Sequence, residues 1–279
     1  MNLTRIRILL LLFAAVLSNV LILESIEEKL LQRNCFPYET ACAAFRNHYV
    51  PEELAERYLE AADSDTEKFC DLLTMYFASD GSVTDVELLE KQLRYAIKYQ
   101  PDAFRKVQKN VRAVWKDLKR FPVGAVSGRP EATVSFADSW MQSRTFGGER
   151  GHEGTDIMAS VNERGLYPVY SMTDGVVENI GWLRLGGYRI GVRSPSGAYF
   201  YYAHLAEYAK EFQIGEPVAA GAFLGFMGDT GYSEIPGTTG NFDVHLHLGI
   251  YLNDESGKEF SVNSFPALRW LWGKNGEKL

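Results

Sequence analysis

Residues 150–158 read RGHEGTDIM. His152 and Glu153 stand side by side, and Asp156 follows where the second histidine of an H-E-x-x-H zincin helix would be. On a helix, His152 and Asp156 would share one face. In a straight strand they would lie roughly 13 Å apart, too far for one metal ion. A turn closes that gap, and Gly154 can supply it. The surroundings decide between these readings. Gly147, Gly148, Gly151 and Gly154 crowd the segment, and each glycine costs a helix about 1 kcal/mol. The stretch is therefore read as a glycine-bent turn in a β domain. Glu153 becomes a bystander rather than a zincin general base.

The rest of the chain divides accordingly. Only one of the 25 glycines, Gly81, precedes residue 122. The glycine-rich half contains short runs bounded by turn residues: PVYSM, GVVENIGWL, YRIGVRS, AYFYYAHL and VHLHLGIYL. These predict an antiparallel β domain. Upstream, apolar residues recur at helical spacing: Leu54 and Tyr58; Phe69, Leu72, Leu73 and Tyr76; Val86, Leu89, Leu93 and Ile97; Phe104, Val107, Val111, Val114 and Leu118. Pro51 suits a first helical turn, and Thr84–Glu87 reads as a capping box. His48 is expected to be a surface or capping residue. The expected fold class is α+β. A segment at 1–23 and a helical module at 24–120 precede a linker at 121–132 and a β domain at 133–272.

Arg5 and Arg7 precede an apolar run from Ile8 to Leu23, and glutamates follow it. This predicts a signal anchor, or a cleaved signal peptide, with the N-terminus in the cytoplasm and the remainder outside. The net charge of -7 argues against a nucleic-acid partner, which needs a basic face. Cys35, Cys42 and Cys70 are an odd set. Cys35 and Cys42 could close a small loop, or all three could be buried hydrophobes.

Four of the five histidines, His152, His204, His245 and His247, fall in the glycine-rich half. In a strand, His245 and His247 face the same side. Such a pair can provide one ligand and one catalytic or supporting group. Two imidazoles and a carboxylate suit a catalytic zinc site whose fourth position is left to water. The aromatic run Tyr199–Tyr202 is read mainly as packing. Simple alternation puts Phe200 and Tyr202 on the His204 face.

His152-x-x-x-Asp156, Tyr202-Ala203-His204-Leu205 and His245-x-His247 resemble, in order and spacing, the lysostaphin-type zinc endopeptidases of bacterial cell walls. PVYSMTDGVVENIGW (168–182), EPVAAGAFLGFMGDTG (216–231) and VNSFPAL (262–268) extend the likeness over roughly residues 133–270. The resemblance implies a duplicated hybrid-motif-like antiparallel domain and one Zn2+ held by His152, Asp156 and His247. It also implies that His204 and His245 serve as unliganded catalytic histidines, with their two roles left unassigned. The implied substrate is a peptide bond in peptidoglycan cross-links or stem peptides. The implied location is outside the membrane. The resemblance does not reach residues 24–120; that helical module shows no chemistry of its own and is expected to be a spacer or an interaction module for an envelope protein.

Two departures stand out. Family members often carry a tyrosine shortly before the first histidine, where this chain has Phe146; Tyr188 or Tyr232 could substitute. The stretch SEIPGTTGNFD (233–243) is longer than the minimal family loop and is expected to wall the groove. The main alternative is a catalytically inactive envelope scaffold of the same fold. A lipoyl- or biotinyl-type carrier is disfavoured, because no lysine lies between Lys119 and Lys210.

Overall fold

A computed structural model describes residues 3–47, 49–146 and 148–275. His48 lies outside the described residues. Helix α1 (Leu3–Asn34) precedes a helical layer formed by α2 (Tyr38–Asn47), α3 (Glu52–Ala61), α4 (Thr66–Ala78), α5 (Val86–Tyr99) and α6 (Pro101–Trp115). The strands follow: β1 (Val134–Phe136), β2 (Ser143–Arg144), β3 (Arg150–Gly151), β4 (Thr155–Ala159), β5 (Pro168–Tyr170) and β6 (Gly175–Leu183). Next come β7 (Gly187–Arg193), β8 (Tyr199–Tyr208), β9 (Pro217–Val218), β10 (Phe223–Met227), β11 (His245–Asn253) and β12 (Glu259–Val262). Helix α7 (Phe265–Asn275) is the last of the described elements.

The apolar stretch of α1 runs from Leu3 to Leu30 with its side chains outside the protein core, and it is long and apolar enough to cross a membrane. Among the other helices, Asp65 caps α4 by accepting from Glu67 N and Lys68 N. Asp85 caps α5 by accepting from Leu88 N. The α5 cap is thus one residue later than the expected box at Thr84. Ile97, expected to face inward, is 51% exposed. It falls on the outer edge of the α5 stripe, while Leu89 is fully buried.

The main sheet runs β1-β4-β11-β8-β7-β6-β9, and every pairing in it is antiparallel. Strand β8 pairs with β7 along one edge and is long enough to serve two partners along the other. Its first half (Tyr199–Ala203) pairs with β11 and its second half (Leu205–Tyr208) with β10. The helical layer and the sheet share one continuous hydrophobic core. Helix α7 joins them: Trp270 stacks on Phe69 at 5.6 Å and meets Trp115 edge-on at 6.5 Å. The segment following the helices starts out buried, with Phe121 and Val123 in the core and Val123 bridging to Val169. All three cysteines are free, and Cys35 Sγ donates to Gln100 Oε1 at 3.2 Å.

Candidate metal centre

Strands β4 and β11 place His247 directly opposite Asp156. Side chains opposite one another on one face of an antiparallel pair are in contact range, so the register alone brings these two together. His152 arrives from the turn between β3 and β4. Its backbone N donates to Gln142 O, and its carbonyl accepts from Met141 N. Gly154 lets the turn close for lack of bulk rather than for an unusual φ. A Cβ there would lie 2.6 Å from both His247 Cε1 and Leu248 O.

Three donor atoms converge. His152 Nε2, Asp156 Oδ1 and His247 Nδ1 are each 3.0 Å from the other two. Tetrahedral zinc with bonds of about 2.05 Å asks for edges of about 3.3 Å. These residues form the His/Asp/His group able to hold a metal ion. The surroundings prepare them for it. His152 Nδ1 lies 2.9 Å from Ser139 Oγ and 3.3 Å from Ser139 O, which suits a protonated Nδ1 and a bare Nε2. Arg144 Nη2 donates to Asp156 Oδ2 at 2.7 Å, leaving Oδ1 for the ion. Burial alone would raise the Asp156 pKa, but the hydrogen bonds from His152 and His247 and the nearby imidazole charges outweigh it and hold the carboxyl well below its ordinary range. The donor set therefore fits zinc.

No spacing rule points to Ser139 or Arg144, which act from a hairpin ahead of the ligands. Arg144→Ala is expected to weaken zinc affinity about 10–100-fold while the fold survives. Titration against a competing chelator measures this.

The two remaining histidines share one arrangement. His204 Nδ1 is 2.7 Å from Thr230 O, and His245 Nδ1 is 2.8 Å from Asp243 O. Each carbonyl fixes a proton on Nδ1 and leaves Nε2 as the free ring nitrogen. The rings are 4.7 Å apart, and His245 Nε2 lies 3.8 Å from Asp156 Oδ1. Desolvation, reinforced by the neighbouring imidazoles, pushes the His204 pKa well below its ordinary value.

His204 sits in the left-handed region at φ 62°. Here the β7–β8 register jumps from Tyr188↔Leu205 to Ile190↔Tyr202, which is a β-bulge. The bulge overturns the simple alternation: Phe200 and Tyr202 are fully buried, and Tyr199 and Tyr201 line the cleft instead. Tyr232 also lines the cleft, stacked on Phe146 at 4.2 Å. The Tyr188 ring packs on Trp182 and Tyr208. In the long loop, Phe242 packs against the rings of His204 and His245 at 4.7 and 5.0 Å, whereas Ile235 at its tip is 71% exposed. Glu153 turns towards Arg46, 4.0 Å away, in a half-exposed pair.

Together these walls enclose a cavity of about 680 Å3 that holds all four of these histidines. Residues 150–258 match the model of peptidase family M23. The chain is 46% identical over 135 residues to the L-Ala--D-Glu endopeptidase of Bacillus subtilis, a match covering 48% of this chain and 40% of that protein. It is 31% identical over 128 residues to lysostaphin of Staphylococcus simulans, covering 45% of this chain and 23% of lysostaphin. The matches thus span less than half the length of these curated relatives. The crystal structure of a Ruminococcus gnavus protein assigned as a glycyl-glycine endopeptidase lytM is similar over much more of the chain. Its TM-score is 0.71 at 44% identity, covering 83% of this chain and 91% of that one. With a likeness of that extent and the matched family model over the metal centre, the chain belongs to peptidase family M23.

Proposed function

We propose that this protein is a zinc-dependent endopeptidase that hydrolyses a peptide bond in peptidoglycan. The observation carrying this reading is the 3.0 Å donor triangle set beside two histidines whose free Nε2 atoms share its cavity. His152, Asp156 and His247 would hold the ion. Bound zinc supplies Lewis acidity and a water that ionises near neutral pH.

The remaining work falls to the chain's own groups. His204, kept neutral by burial and with its Nδ1 proton committed to Thr230 O, offers a lone pair at Nε2 and takes the proton from the attacking water. His245, beside the Asp156 carboxylate, is placed to stabilise the negative charge that develops on the scissile carbonyl. Tyr232, at the cleft wall, stands in for the tyrosine that Phe146 replaces. An inactive scaffold would have no use for this complete set.

The Bacillus relative, at 46% identity, is named for the L-Ala–D-Glu bond, and lysostaphin matches at 31%. We therefore favour a stem-peptide bond adjoining D-glutamate. Helix α1 would anchor the protein with the peptidase domain outside the membrane, and the helical layer would dock an envelope protein. Digestion of purified peptidoglycan followed by product mass analysis tests the bond. The expected new amino terminus belongs to D-glutamate. New termini on glycine would move the cut to a cross-bridge, and an undigested wall would overturn the reading.

A further inference from the structure

Two arginines lining the cleft, Arg189 and Arg150, have buried guanidinium nitrogens without a partner among the described residues, and Arg189 has the more of them. Arg189 is half-buried and lines the metal-centre cavity, yet its Nε and Nη1 are fully buried with no hydrogen-bond partner among the described residues. A cation buried without a partner is costly, and native buried polar groups left unpaired call for an explanation. Among the other arginines lining the cavity, Arg144 holds Asp156 and Arg184 pairs with Glu234, while Arg150 has one buried nitrogen, Nε, without a partner against two in Arg189.

The strand places Arg189 with some care. Alternation along β7 puts Gly187, Arg189 and Gly191 on one face. Both glycines are needed as such. A Cβ on Gly191 would lie 1.9 Å from the Tyr199 hydroxyl, and one on Gly187 would lie 2.3 Å from Thr230 O. On this face β7 extends two side chains: Arg193, at its far end, is held by Glu178 and lies over the Tyr199 ring, and Arg189 lines the cleft with Tyr199 and Tyr201, close enough for its charge to act on both hydroxyls. The register jump leaves it opposite the bulge formed by Ala203 and His204. Neighbouring strands lie about 4.7–4.9 Å apart, so its backbone adjoins that of a catalytic histidine.

We propose that Arg189 is a specificity-determining residue that binds a free carboxylate on the peptide substrate close to the scissile bond. A guanidinium matches a carboxylate through two parallel hydrogen bonds. The proposal deepens the endopeptidase reading and rests on it. A glutamate whose nitrogen lies in the cleaved bond carries two carboxyl groups, and only one is needed to continue the chain. The other is the ligand for Arg189.

The test uses two synthetic peptides containing the L-Ala–D-Glu bond, identical except that the free glutamate carboxylate is a carboxamide in one. Binding is measured by calorimetry with the full-length, zinc-loaded protein in detergent, carrying His245→Ala to suppress turnover. The carboxylate peptide is expected to bind about 10–100-fold more tightly, the range for a charged hydrogen-bonded pair. Adding Arg189→Gln should abolish that preference at unchanged zinc content, and Arg189→Lys should keep part of it. Equal binding of the two peptides, including no measurable binding of either, overturns the proposal, as does a preference that survives Arg189→Gln. Cleavage by the wild-type protein is scored separately. A preference without cleavage keeps the subsite and overturns the endopeptidase reading. Cleavage without a preference does the reverse.

Discussion

His245→Ala is expected to lower kcat/KM on peptidoglycan about 10³-fold while zinc stays bound. The size follows from losing a group placed to stabilise developing charge, an effect of roughly 10²–10³. Metal retention follows from geometry. The donor triangle comprises His152 Nε2, Asp156 Oδ1 and His247 Nδ1, and His245 is outside it, tied through Nδ1 to Asp243 O. Glu153→Gln is the control, because a zincin-type base at that position would make it the damaging change. Glu153 instead faces Arg46 at the surface, so most activity should survive. Steady-state kinetics with parallel zinc analysis separates the outcomes. A crippled Glu153→Gln enzyme beside an active His245→Ala enzyme would reverse the assignment.

Gly154→Val should cost the protein its zinc and, with it, nearly all activity. Even a single Cβ would press within 2.6 Å of the His247 ring and of Leu248 O, and valine adds two methyl groups on a stiff χ1. The His247 ring would have to move, which breaks the triangle. The sheet should persist, because β11 is held on both sides by β4 and β8. The expected signature is near-native far-UV circular dichroism with zinc affinity reduced by more than about 100-fold, in excess of what losing an outer-shell partner costs. Full zinc occupancy in this variant would show that the turn has room the structure does not allow.

How much of this was legible depended on whether a signal was local. Strand β6 was readable to its ends, because the run GVVENIGWL is rich in β-branched and aromatic residues and bounded by turn residues. The turn at RGHEGTDIM was readable because glycines exclude a helix there. The face of the aromatic run was not. Alternation assumes an unbroken ladder, and the bulge at His204 exists only through pairing with β7, so Tyr199 and Tyr201 exchanged places with Phe200 and Tyr202. Ser139 and Arg144 escaped for a similar reason. They reach the ligands through a hairpin closed by Ser143↔Gly151 and Arg144↔Arg150, and nothing in their own neighbourhood advertises it. Ile97 was misplaced because steps of four residues (Leu89, Leu93, Ile97) outrun the 3.6-residue turn, and the buried position in the last turn is Ala96, seven residues after Leu89.

The central claim is that His152, Asp156 and His247 hold the metal on which hydrolysis depends, while His204 and His245 work beside it. Its most direct test is zinc content measured together with peptidoglycan hydrolysis for three full-length proteins: wild type, Asp156→Ala and His245→Ala. About one zinc per chain is expected in wild type and in His245→Ala, with little or none in Asp156→Ala, and only the wild type should digest the wall. An Asp156→Ala protein that keeps both its zinc and its activity, or a wild type that digests walls without zinc, would contradict the account.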